Sequence, residues 1–236
     1  MAVRAVLFDL GNTLVGYYTS RECPEVLRRC LLECTAALGW SKDPSRAEDI
    51  FGRALLLNRE RPDFAVRHLE DRLQELFGPY TALDVAAIQV LTAAFLKPIF
   101  ATARLDPTAV SVLRSLRGLG FKSAIVSNTP WGSPADAWRA ELARHALLDA
   151  VDATVFCVDV GWRKPHPAPF DRALSLLGVL PDDALFVGDD HRWDVVGARN
   201  AGMRPVLLAI DAVQSASDHL TIQTLGDILS VASKTC

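Results

Sequence analysis

The chain has 236 residues, half of them hydrophobic and 22% charged, with a net charge of −3. That balance excludes a disordered polymer, and so small a charge gives no long-range pull toward nucleic acid or an anionic membrane, which leaves a small molecule as the expected partner. Five cysteines without a paired spacing fit cytosolic thiols, and no segment reads as a signal peptide or membrane span, so a cytoplasmic location is expected.

The apolar run Ala5-Val6-Leu7-Phe8 stops abruptly at Asp9 and Gly11, as a strand buried on both faces does. Helical spacing then recurs four times. Residues 24–38 place Val26, Leu27, Cys30, Leu31 and Cys34 on one face, with Gly39 as a stop. Ser45 and Glu48 read as a capping box for a helix reaching Leu57. Further helices are expected over 63–77, closed by Gly78-Pro79, and over 82–96, closed before Pro98. Cys30 and Cys34 read as core packing rather than metal ligands, since no histidine or paired cysteine accompanies them.

From Pro107 the texture changes to helix 108–116, strand 122–127, helix 134–146, strand 153–156, helix 169–177, strand 184–187, helix 194–201 and strand 205–209. The tail reads as a loop and a short helix near 225–232. Strand and helix in alternation imply an α/β fold, a Rossmann-like, doubly wound parallel sheet with helices on both faces. Asp9 and Ser127 stand 118 residues apart, whereas a strand-helix-strand crossover needs about 30. The surplus is an inserted helical cap, 16–97, on a core domain formed by 1–15 and 98–236.

Four expected strand ends carry polar groups: Asp9, Ser127-Asn128, Lys164 within Gly161-Trp162-Arg163-Lys164-Pro165, and Gly188-Asp189-Asp190 followed by Asp194. They supply a carboxylate nucleophile, a hydroxyl and amide, an ammonium, and an acidic cluster for a hard cation, which is a set suited to phosphoryl transfer through an aspartyl intermediate. Each also has an ordinary reading. Asp9 alone would cap a loop, Ser127-Asn128 would open a turn, Arg163-Lys164 would be a solvated basic pair, and Asp194 would be a helix N-cap. Lys164 is the better candidate of its pair, with Arg163 read as a surface residue; Asp190 reads as a cap or supporting acid, His191 as solvent-facing, and Trp131 and Trp138 as packing.

In this order and on these elements, the four stretches resemble motifs one to four of the haloacid dehalogenase-like hydrolase superfamily, in the subclass with a helical first cap. The resemblance covers essentially the whole chain. It implies that Asp9 is the nucleophile, that Ser127 and Asn128 bind the transferring phosphoryl oxygens with Lys164, and that Asp9, the Gly11 carbonyl, Asp189 and Asp194 hold Mg²⁺. It also implies a phosphorylated small-molecule substrate and a monomer or homodimer.

The pattern breaks at Gly11, where the phosphatase branch usually has a second Asp that protonates the leaving oxygen and then activates water. Such help is typically worth about 10²–10⁴-fold, so its loss would favour good leaving groups. Asn12 suits the left-handed turn expected there. Tyr17, Tyr18, Arg59, Arg61 and His68 are cap or hinge residues within possible reach of the site, but no spacing singles one out. Three readings follow: a Mg²⁺-dependent phosphatase, a 2-haloacid dehalogenase using the same Asp, or a catalytically weak binding or regulatory protein on this fold.

Overall fold

The computed structural model describes residues 2–40, 43–57, 62–209 and 219–234. All four residues of β1 (Ala5–Phe8) are buried, because Val6 and Phe8 face one hydrophobic cluster while Ala5 and Leu7 face another on the opposite side of the sheet. The chain then makes a short strand, β2 (Val15–Gly16), and enters a helical block of α1 (Cys23–Ala37), α2 (Pro44–Leu57), α3 (Leu69–Phe77) and α4 (Val85–Ala101). It returns through β3 (Arg104–Leu105), which pairs antiparallel with β2 and so ties the exit of the block to its entrance.

After this return come α5 (Ala109–Gly118), β4 (Lys122–Ser127), α6 (Ala135–Arg144), β5 (Ala153–Phe156), α7 (Cys157–Val160), α8 (Ala168–Leu177), β6 (Ala184–Gly188), α9 (Val196–Asn200), β7 (Arg204–Leu208), β8 (Leu220–Ile222) and α10 (Ile228–Lys234). Six strands form one sheet in the order β5-β4-β1-β6-β7-β8, and all its pairings are parallel. This is the α/β, Rossmann-like fold with a large helical insertion.

Register is what matters for chemistry. Phe8 stands opposite Ile125 of β4 and Val187 of β6, so the segments that follow β1, β4 and β6 emerge side by side, with neighbouring strands only about 4.8 Å apart. The Asp9 amide donates to the Val187 carbonyl at 2.8 Å, which fixes the backbone of Asp9 against the strand that leads to Asp189. No helix among the described residues is long and apolar enough to cross a membrane.

Several local expectations are corrected. Residues 63–68 are not helical: α3 starts at Leu69, and the preceding segment runs extended, with Val66 N donating to Gly161 O and Arg163 N to Phe64 O, both at 2.9 Å. The Asp63–Arg67 pair, spaced as on a helix, instead folds locally, and Asp63 Oδ1 accepts from Ala65 N at 3.2 Å. Helix α4 passes through Pro98 to Ala101, because Leu96 and Ile99 are buried on either side of the proline and the fixed φ of proline is compatible with helix. The capping acid of α2 is Asp43, whose Oδ1 accepts from Arg46 N at 3.1 Å, and Ser45 donates to that same oxygen. Strand β8 lies where a loop was expected.

Candidate active site

The ammonium of Lys164 links two strand ends. It donates to Asp9 Oδ1 at 2.6 Å and to Asp194 Oδ1 at 2.7 Å, in a site where Lys164 and Asp194 are each 2% exposed. Burial alone would lower the lysine, but Asp194 and Asp9 outweigh it and hold the ammonium above the ordinary range. It therefore stays protonated at any working pH. Asp9 Oδ2 accepts no hydrogen bond from the described residues, so one carboxylate oxygen is held and the other is available.

Asp194 does not cap a helix. It sits inside a single π-helical turn, His191–Val195, whose cap is Asp190 accepting from Arg192 N and Trp193 N. Its second oxygen, Oδ2, accepts from Asp190 N at 3.0 Å. Glycine at 188 makes this placement possible, since a Cβ there would lie 2.2 Å from Asp194 Oδ2 and 2.3 Å from its Cγ.

Asp9, Asp189 and Asp194 place one carboxylate oxygen each within 4.8 Å of one another. Asp189 is pushed up to about 7, first by burial and then by the charges of Asp9 and Asp194. Asp194 is pushed up to about 6 by burial, against the pull of Lys164. Three acids facing one lysine leave an excess of negative charge that a divalent cation would offset, and hard carboxylate and carbonyl oxygens are the donors such an ion prefers. The three carboxylates thus form a donor set that fits a divalent metal, and the Gly11 carbonyl accepts no backbone hydrogen bond among the described residues.

The crowding has a measurable consequence. An acid whose folded value lies above its ordinary one penalises the native state most at high pH, and that penalty begins to shrink as pH falls through the raised value and is gone below the ordinary one. Asp189→Asn is therefore expected to raise the melting temperature of the metal-free protein at about pH 8 and to abolish the stabilisation by a divalent cation that is expected of the wild type. Thermal melts with chelator and with Mg²⁺ check both arms, and a lower metal-free melting temperature in the variant would count against the crowding.

A family model for haloacid dehalogenase-like hydrolases matches residues 3–202. The chain belongs to that family. Over 204 residues it is 30% identical to the glyceraldehyde 3-phosphate phosphatase of Pyrococcus abyssi (strain GE5 / Orsay), covering 86% of this chain and 80% of that one. The crystal structure of a HAD phosphatase from Thermococcus onnurineus matches over 97% of both chains, with a TM-score of 0.67 and 25% identity. A 2-haloacid dehalogenase from Pseudomonas syringae pv. Tomato DC3000 shares the fold, with a TM-score of 0.70 and 22% identity over 99% of this chain and 100% of that one.

In this haloacid dehalogenase-like hydrolase the remaining sequence candidates divide. Ser127 is buried at the end of β4, and among the described residues its hydroxyl makes only a long 3.5 Å contact to its neighbour's carbonyl. Asn128 uses both ends of its amide on the backbone of Lys164: Oδ1 accepts from Lys164 N at 2.8 Å and Nδ2 donates to Lys164 O at 3.2 Å. It fixes the lysine loop. Asn12 takes the left-handed turn, φ 57°. Tyr17 packs edge-on against Trp138 with its buried hydroxyl unpartnered among the described residues, and burial, then Glu141, raises the phenol. His68 precedes α3 without making a capping bond. Arg59 and Arg61 lie outside the described residues. Cys30 and Cys34 are buried in α1, with Cys34 Sγ near Leu91 O at 3.5 Å, and His191 is exposed.

A cleft of about 470 Å³ opens between the helical block and the sheet, with Asp189 and Asn12 on one side, Tyr18 and Phe95 on the other, and Trp131 and Arg163 in its walls. Arg163 is thus not the solvated surface residue its sequence suggested. The extended segment before α3 holds its backbone, and its guanidinium lies over the Trp193 ring at 5.4 Å. No local pattern announced this, because the partner, Phe64, lies about a hundred residues upstream. Trp138 packs in the core as expected, bonding Ser133 Oγ at 2.8 Å.

Proposed function

We propose that this hydrolase is a Mg²⁺-dependent phosphatase acting on a small phosphorylated metabolite through an aspartyl-phosphate at Asp9. The observation that carries the reading is the convergence of Asp9, Asp189 and Asp194 within 4.8 Å, with Lys164 Nζ bridging Asp9 and Asp194. Descent from the same family as the Pyrococcus abyssi phosphatase supports it. Displacing halide from carbon needs no divalent cation, whereas the acid cluster suits one, which weighs against the dehalogenase reading.

Asp9 Oδ2 attacks phosphorus as the ester P–O bond breaks, the leaving oxygen departs with that electron pair and takes its proton from solvent because position 11 carries no acid, and Lys164, charged throughout, steadies the nucleophile and the arriving dianion. The Ser127 hydroxyl is free to donate to a phosphoryl oxygen, and Asn128 keeps Lys164 in place. Water then attacks phosphorus and gives up a proton to solvent, the P–O bond to Asp9 breaks with its electron pair returning to the carboxylate, and inorganic phosphate leaves. Asp9, Asp189, Asp194 and the Gly11 carbonyl would hold the ion, which when bound supplies positive charge against the phosphoryl oxygens. Asp194, both of whose oxygens accept hydrogen bonds, also orients Lys164. In this reading 1–15 and 98–236 form the core domain and 16–97 the cap, with α4 carrying across the second boundary. The free thiols of Cys23, Cys30, Cys34 and Cys157 suit a cytoplasmic setting.

The test is phosphate release from a panel of esters with and without Mg²⁺. Aryl and acyl phosphates are expected to outpace alkyl esters, because position 11 provides no acid. A side chain fits there: a Cβ on Gly11 meets nothing nearer than Tyr17 Cδ2 at 4.0 Å. Gly11→Asp is therefore expected to raise turnover of alkyl phosphates by roughly 10-fold or more. A folded variant that hydrolyses alkyl esters no faster than the wild type would show that another group already provides the proton.

A further inference from the structure

Arg163 is a cationic residue of the cleft wall that the chemistry at Asp9 does not use; Arg72, in the same wall, donates to Leu57 O at 3.3 Å and lies over the Trp131 ring. Its neighbour Lys164 is neutralised by Asp9 and Asp194, and Arg67, also in the cleft wall, is paired with Asp63 at 2.8 Å. Arg163 has no ion pair with any described residue, and its Nε is buried without a hydrogen-bond partner. A permanently charged group lining a cleft in this condition calls for an acceptor from outside the chain.

The side chain is also held in place. Phe64 O accepts from Arg163 N at 2.9 Å, the guanidinium lies over the Trp193 ring, and the Phe64 ring packs edge-on to the same indole, with centroids 6.2 Å apart. Phe64 has φ 52°, a left-handed conformation that costs energy in a bulky residue and is retained where the surroundings impose it. The backbone strain at Phe64 thus coincides with the point where the helical block fixes Arg163.

We infer that Arg163 is a specificity residue that binds a second anionic group, carboxylate or phosphate, on the part of the substrate that leaves. The inference rests on the phosphatase reading for what occupies Asp9 and Asp189. A guanidinium offers two parallel donors to either anion, and one already fixed in place loses little freedom on binding.

Two pairs of probes differ only in that second anion: 3-phosphoglycerate with glycerol 3-phosphate, and fructose 1,6-bisphosphate with fructose 6-phosphate. Dissociation constants are measured calorimetrically with Mg²⁺ in the Asp9→Asn background, with Arg163 intact, as Arg163→Lys and as Arg163→Met. The ratio of kcat/KM within each pair is measured on the enzyme with Asp9 present. With Arg163 intact, the doubly anionic member of at least one pair is expected to bind better. Arg163→Met should reduce that preference roughly 10-fold or more, and Arg163→Lys should restore part of it. The pair that responds names the anion. Binding ratios unchanged by Arg163→Met, or no binding of either doubly anionic probe, overturns the inference even if the enzyme hydrolyses phosphate esters. A preference lost on Arg163→Met in a protein that turns over no ester upholds the binding role and refutes the phosphatase reading instead.

Discussion

Asp9→Asn is expected to lower kcat on any phosphate ester by roughly 10³-fold or more, about 4 kcal/mol of activation free energy. The amide keeps the shape of the carboxylate, and its oxygen still accepts from Lys164, but it has no anionic oxygen to attack phosphorus. Losing one of three crowded acids also relieves repulsion on Asp189 and Asp194, both of which feel the charge of Asp9. Lys164 keeps its pair with Asp194, so this relief offsets the lost Asp9–Lys164 pair and the variant should melt close to the wild type in the absence of metal. Steady-state kinetics paired with a thermal melt separates this from misfolding. Turnover within 10-fold of wild type in a folded variant would remove Asp9 as nucleophile.

Lys164→Met is expected to have the largest effect on stability. The ammonium is the only cation bonded to Asp9 and Asp194 among the described residues, and breaking a buried ion pair by deleting one partner typically costs about 3–5 kcal/mol. The sign of its pH dependence follows from the acids left behind. Asp189 and Asp194 already bind protons more tightly in the folded state than when unfolded, and without Lys164 they would do so more strongly. Between the unfolded and folded values the native state holds more protons, so native stability rises as pH falls. The deficit of the variant should therefore be greatest at about pH 8 and shrink toward about pH 5. Urea unfolding with chelator at both pH values measures it, and a deficit equal at both would mean that the lysine contributes packing rather than charge.

The central strands were legible because burial on both faces leaves little choice of residue. Ala5–Phe8, Ala184–Gly188 and most of Lys122–Ser127 are wholly buried, and each reads as an apolar run ending at a polar group. Since β1 lies between β4 and β6, the chemistry at those ends is gathered by topology alone. Segments whose structure depends on distant partners were not legible. Residues 63–68 carry helix-like charge spacing but are drawn out by the 161–163 loop. Pro98 marked a helix end that packing of Ile99 overrides. That Asp194 could not also serve as a helix cap was not legible, because its environment depends on the missing Cβ of Gly188. Arg163 looked like half of a solvated pair because nothing nearby in the chain shows that Trp193 and Phe64 enclose it.

The proposed chemistry requires Asp9 and a divalent ion to act on one phosphoryl group in one pocket. Fluorine NMR of the protein with beryllium fluoride tests this without any knowledge of the substrate, because the trifluoride binds a carboxylate oxygen as a phosphoryl group would. Wild type with Mg²⁺ should give resonances of a bound trifluoride that vanish on addition of chelator and are absent from Asp9→Asn. A wild-type protein that gives no bound signal with Mg²⁺, or an Asp9→Asn variant that gives the same signal, would contradict the assignment of Asp9 as the phosphoryl acceptor.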